Sequence, residues 1–210
     1  MQPLAELAVL MAEEQPPLDR TLAVLAAAVR RDVDVAGVLR SLDQIAERCT
    51  ATTAVELCAE LFGPVGFAPA VDDYYTPENS LLDAVLARRR GLPITLSAVA
   101  IEVGRRRGVS LVGVGMPGHF LLRDASDPLR FFDAFGGGRA LDLEGCRSCF
   151  RSVNGPDAAL LPVHLAPVGS RTIVGRVLNN LQVAAGRVGD VELIGSVQRV
   201  RVLLSGATLN

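Results

Sequence analysis

Asn79-Ser80, Arg88-Arg89-Arg90-Gly91-Leu92-Pro93-Ile94-Thr95-Leu96-Ser97, Gly108-Val109, Pro117-Gly118-His119-Phe120 and Phe132-Asp133 decide how this chain is read. Leu81, Leu82, Val85 and Leu86 give a first helix its buried face, and Arg88, Arg89 and Arg90 close it. Arginines in a last turn complement the negative end of the helix dipole, and Gly91 suits the left-handed position after it. Pro93 suits the first position of the next helix, where a missing N–H costs nothing. Leu96, Val99, Ala100 and Val103 face its core, and Arg105-Arg106-Arg107-Gly108 repeats the terminator. Both arginine triplets therefore read as helix ends rather than phosphate sites.

Beyond Gly108 the pattern changes to period two and to continuous apolar runs, the mark of strands. Strands are expected over 111–116, 120–123 and 129–135, with a hairpin turn at 124–128. The triple glycine 136–138 makes another turn; it lacks the Gly-Lys-Ser/Thr of a phosphate loop. His119 and Asp133 flank the hairpin, so they belong on neighbouring strands.

A helix N-terminus, a His and an Asp on adjacent strands form the frame of a nucleophilic site. The dipole stabilises an anionic nucleophile, the His takes its proton, and the Asp orients the His. His119 and Asp133 fit the last two roles, with Gly118 beside the imidazole and Phe120 and Phe132 shielding the pair from water. No cysteine stands at the helix start. The hydroxyls of Thr95, Ser97 and Ser80 are the alternative nucleophiles. Their bland roles are local: Asn79 or Ser80 as a helix N-cap, Thr95 and Ser97 bonded back to the backbone. Cys58 lies on an apolar helical face and reads as a core thiol, His164 sits among prolines and reads as structural, and Cys146-Arg147-Ser148-Cys149 reads as a structural thiol pair. With two histidines and one such pair, neither a metal site nor a cofactor is expected.

Outside this centre, residues 4–62 carry helical periodicity, Thr50 to Thr53 included among the turns, and 63–78 are broken by glycine and proline. Residues 157–170 have no readable period. The faces Ile173-Val177-Leu178-Leu181-Ala184 and Leu193-Ile194-Val197-Val200-Leu204, joined at Gly189-Asp190, predict an antiparallel helical hairpin like one tetratricopeptide unit. The expected division is 1–62 helical, 63–150 core and 151–210 helical hairpin. The 210 residues are half hydrophobic, carry a formal charge of −2, and contain no lysine, no tryptophan and two tyrosines. That composition excludes a field or a stacking platform for nucleic acid. No apolar run reaches the ~20 residues that span a bilayer. The acidic start, Glu6, Glu13 and Glu14, is unlike a secretory signal, so a cytoplasmic location is expected.

The chain resembles the SirB1 family, a branch of the transglutaminase-like superfamily. The likeness rests on Asp73-Tyr74-Tyr75, Pro77 with Asn79-Ser80, the run from Arg90 to Ser97, Gly113-Val114-Gly115, Pro117 to Leu121, Asp133 with Phe135, Gly137-Gly138-Arg139, and Arg176 to Leu181. The resemblance implies an α+β fold: a transglutaminase-like (papain-like) core with an antiparallel sheet, a helical N-terminal part and a tetratricopeptide-like tail. Matching Gly91 and Gly108 to the superfamily's two glycines sets Pro93 at the position of the catalytic Cys, with His119 and Asp133 at its His and Asp. The expectation is a non-catalytic protein with a binding or regulatory role toward a protein or peptide partner. The alternative is a hydrolase or acyl-transfer enzyme using Thr95, Ser97 or Ser80.

Overall fold

In a computed structural model that describes residues 2–207, the chain is α+β. Helices α1 (Pro3–Ala12), α2 (Leu18–Val29), α3 (Val35–Arg48) and α4 (Ala54–Phe62) come first. Thr53 caps α4: its hydroxyl accepts from the Glu56 N–H, and Glu56 accepts from the Thr53 N–H. A two-residue strand β1 (Ala68–Pro69) leads to a 3-10 turn at Pro77–Ser80, then α5 (Leu82–Arg88), β2 (Arg90–Gly91) and α6 (Pro93–Arg107).

α6 is buried from Pro93 through Ala100 and again at Glu102, Val103 and Gly104. A helix apolar on most sides belongs inside, and α6 packs against α2, α3, α4, α5, α8 (Ser170–Val188), β3 (Leu111–Val114) and β4 (Leu121–Asp124). The remaining strands are β5 (Phe131–Asp133), β6 (Arg139–Leu141) and β7 (Pro167–Val168). The sheet is antiparallel throughout, in the order β6-β5-β4-β3-β7. α7 (Leu143–Asn154) covers one flank, and α9 (Val191–Ala207) packs back on α8, α1 and α2. Among the described residues no helix is long and apolar enough to cross a membrane.

Five details differ from the sequence expectation. The left-handed residue after α5 is Arg89 (φ 57°), not Gly91. The chain must leave the helix early because β2 pairs in parallel with β1, Ala68 N–H donating to the Arg89 carbonyl at 2.8 Å. The left-handed arginine costs roughly 1–2 kcal/mol, set against its stacking over the Phe67 ring at 4.6 Å. Gly91 is needed for space: a Cβ there would lie 2.9 Å from the Thr95 hydroxyl. The N-cap of α5 is Leu81, not Asn79 or Ser80, since those two lie inside the 3-10 turn. α7 crosses the expected border at 150, and β7, in the segment with no readable period, is the fifth strand of the central sheet. β3 and β5 are also shorter than expected, and β3 stops at Val114 because 115–120 are taken by the turn that carries His119.

The arginine end of α6 ties the first helices to the core. Arg106 donates to Asp19 (2.7 Å), Asp43 (2.7 Å) and Glu102 (3.0 Å), and Arg105 to Asp19 and Glu102 (both 2.9 Å). Burial raises the pKa of Glu102, with the Asp19 charge adding to the rise and both arginines opposing it. Removing one partner of a buried charge cluster costs about 3–5 kcal/mol because the others stay behind unpaired. Arg106→Ala is accordingly expected to lower the unfolding free energy by about 3 kcal/mol in urea denaturation. A loss under about 1 kcal/mol would show that the cluster is effectively solvated.

Candidate functional site

Gly118, at φ +74°, turns the chain between β3 and β4 so that His119 points into the fold. A Cβ at that position would meet Val153 at 2.4 Å, because α7 lies across the turn, and Asn154 fastens it by donating to the Pro117 carbonyl at 3.0 Å. His119 Nε2 meets Asp133 Oδ1 at 3.0 Å. Both side chains are nine-tenths covered, at 10% and 7% exposure. Arg139 reaches the other Asp133 oxygen at 3.5 Å, and the Gly136 and Gly138 N–H groups donate to the Asp133 carbonyl.

The pair is ionic. Burial opposes a charge on His119, but the hydrogen bond to Asp133, with a smaller contribution from Cys149, outweighs it and pushes the imidazole up to about 9. Burial likewise raises Asp133, yet the bond to His119 leaves its carboxyl below the ordinary value. At neutral pH the ring is therefore an imidazolium.

His119 lines a cleft of about 150 Å³ together with Tyr74, Pro93, Ile94, Gly118, Phe120, Arg176 and Asn180. Pro93 opens α6, so the N–H groups of that first turn have no partner within the helix. Arg176, on α8, donates to the Met116 carbonyl at 2.7 Å and sits 5.7 Å from the Phe120 ring centre. Burial lowers its pKa, but an arginine remains charged.

Of the residues expected in the site, Pro93, Gly118 and His119 meet in the cleft, with Asp133 behind the imidazole. The others stand away from its lining. The Thr95 hydroxyl donates to the Asn79 carbonyl at 2.7 Å and accepts from the Leu92 N–H at 3.0 Å. The Ser97 hydroxyl donates to the Pro93 carbonyl at 2.7 Å. Asn79, wholly buried, donates to the Asp73 carbonyl at 2.6 Å and accepts from Arg88 at 3.1 Å, which fixes the loop that presents Tyr74. Ser80 is buried, its hydroxyl unpartnered. Cys58 is wholly buried and its thiol is pushed up to about 12, first by burial, as suits a core thiol.

Sequence reasoning missed Arg176 and Asn180 as site residues. Their signal was the spacing: two polar side chains four apart, and so on one face of α8, beside its apolar stripe. It also missed Cys149, which comes to the ring edge of His119 from α7.

The chain matches the transglutaminase-like superfamily over residues 18–179. It belongs to that superfamily. Its relatives include a UPF0162 protein of Xylella fastidiosa, 45% identical over 125 residues, covering 58% of this chain and 44% of the other. UPF0162 protein PA3419 of Pseudomonas aeruginosa is 30% identical over 199 residues, 90% of this chain and 73% of the relative. F-box only protein 21 of Mus musculus is 39% identical over 84 residues, 35% of this chain and 13% of the relative. The chain thus spans less than half the length of the Xylella relative. No solved structure gives a significant match.

The pH dependence follows from the ion pair. The raised His119 stabilises the fold fully below its unfolded value of about 6.5, and this is lost as pH rises through about 9. The lowered Asp133 contributes above its unfolded value and is lost as pH falls through the folded one. An NMR titration is expected to place the His119 midpoint near 9. In Asp133→Asn it should fall toward 6.5 or lower, where burial acts unopposed. A wild-type midpoint near 6.5 would rule out the pair as an ionic one.

Proposed function

We propose that this chain is a SirB1-type, non-catalytic transglutaminase-like protein whose His119/Asp133 cleft binds a carboxylate-bearing segment of a partner protein or peptide in a regulatory role. The observation that carries this reading is Pro93. It stands at the helix start beside His119, where the frame calls for a nucleophile, and it offers no ionisable atom.

What remains in the cleft suits recognition of an anion. The His119 imidazolium and the Arg176 guanidinium lie at the positive end of α6, and Asn180 and Tyr74 add polar atoms to the lining. The donors are fixed before any ligand arrives: the ring by Asp133, the guanidinium by the Met116 carbonyl. Preorganisation of this kind lowers the entropic cost of binding. The hydrolase or acyl-transfer reading needs a hydroxyl aimed at His119. Thr95 and Ser97 instead donate theirs to the Asn79 and Pro93 carbonyls, which favours the binding role. A reducing, cytoplasmic location belongs to the same proposal and suits the four free cysteines.

A library of peptides with free C-terminal carboxylates, read by fluorescence polarisation against amidated counterparts, tests this reading. Binding is expected to require the carboxylate and to weaken by roughly tenfold or more in Arg176→Ala, the scale of a charge-assisted hydrogen bond. Ester and peptide probes are expected to show no turnover. Turnover lost in both His119→Ala and a hydroxyl variant would replace the binding reading with the catalytic one.

A further inference from the structure

Three of the four cysteines are buried, and Cys149 is the half-exposed one. Its sulfur, a ring nitrogen of His119 and a carboxylate oxygen of Asp133 all lie within 4.8 Å of one another. We propose that Cys149, His119 and Asp133 form a binding site for a thiophilic divalent transition-metal ion, with Zn(II) the fitting occupant.

The donor types fit first. Thiolate, imidazole and carboxylate are the ligands that zinc takes, and three of them with one open position is the pattern of an accessible zinc site. The spacing fits next. Zinc bonds of about 2.3 Å to sulfur and about 2.0–2.2 Å to nitrogen and oxygen put tetrahedral donor atoms roughly 3.3–3.7 Å apart. The Nε2–Oδ1 distance of 3.0 Å and the 4.8 Å limit on the triangle bracket that range. Small side-chain rotations close the site around an ion, which then takes the place of the proton between Nε2 and Asp133.

The donors also come from parts that are already held together. His119 follows the Gly118 turn, Asp133 ends β5, and Cys149 stands midway along α7, which is pinned to that turn by Asn154. Arg139 and the tight approach of Gly136, where a Cβ would lie 2.6 Å from Asp133 Oδ2, steady the carboxylate from outside. Such outer partners are what orient a ligand toward a metal. A nucleophilic role for Cys149 fits less well. The sulfur sits in the middle of α7, away from the helix N-terminus that activates a reactive thiol, whereas ligation makes no such demand. The inference does not require the cleft to bind any peptide, although the open coordination position gives a carboxylate one more place to attach.

The test is a Co(II) titration of the full chain after chelator treatment and dialysis. One equivalent is expected to bind with a near-ultraviolet thiolate-to-metal charge-transfer band that Zn(II) abolishes by displacement. Cys149→Ser, checked for an unchanged fold by circular dichroism, should lose the band. It should also weaken Zn(II) by more than the ~10–100-fold that loss of an outer partner costs. Cys49→Ser should change neither. Absence of stoichiometric binding, or a band that persists in Cys149→Ser, overturns the assignment. Carboxylate-peptide binding measured in the same samples with EDTA reads the cleft separately, so either idea fails without the other.

Discussion

Everything in this structure depends on the burial of α6. A fifteen-residue helix with so few exposed positions has one place to go, and its two ends then acquire opposite tasks. At the C-terminal end, Arg105 and Arg106 gather Asp19, Asp43 and Glu102, fastening the N-terminal helices to the core. At the N-terminal end, Pro93 is held against the turn that carries His119. The cleft has little freedom to deform, because the helix forming one wall is packed against α8, which supplies Arg176 and Asn180, and against β3 and β4, which flank the His119 turn.

Within that frame the His119–Asp133 ion pair is the electrostatic centre. Its two charges are nearly out of water, which strengthens their attraction and makes the geometry worth preserving. Catalytic His–Asp pairs serve a nucleophile, yet the helix start offers a proline, and the neighbouring hydroxyls are engaged by carbonyls. The arrangement retains the cost of holding a buried charged histidine without the group that would use it as a base. The proposed binding role would give that cost a purpose, since a fixed imidazolium and guanidinium at a helix N-terminus suit a receptor for negative charge.

Much of this was legible in the sequence where a residue's role is set by its own neighbours. Pro93 at the first position of a helix, Gly108 in the left-handed region, Gly189 ending α8 and Asp190 accepting from the Leu193 N–H are local matters, and they read correctly. The pairing of His119 with Asp133 was legible because a hairpin separates them. What could not be read was set by distant partners. Arg89 adopts φ 57° because β2 must meet β1, which no local rule foretells. β7 is two residues long and exists only because β3 offers it an edge. Asn79 resembles a cap in sequence but is consumed by Asp73 and Arg88. Cys149 belonged to a short cysteine motif that pointed to its neighbour Cys146. Its approach to His119 comes from the docking of α7, which depends on a side-chain contact with the Pro117 turn.

In the proposed function, the frame of a nucleophilic site surrounds a residue unable to act at Pro93. The thiol pKa of Pro93→Cys tests this most directly, followed by the rate of iodoacetamide alkylation across pH, with Cys149 replaced by Ser so that no second thiol reaches the ring. A pKa below about 7 is expected, from the α6 dipole and the His119 imidazolium, returning toward about 8.5 when His119 is also replaced by Ala. An unperturbed pKa of about 8.5 with His119 in place would contradict it, because Pro93 would then not occupy the position that His119 and the helix serve.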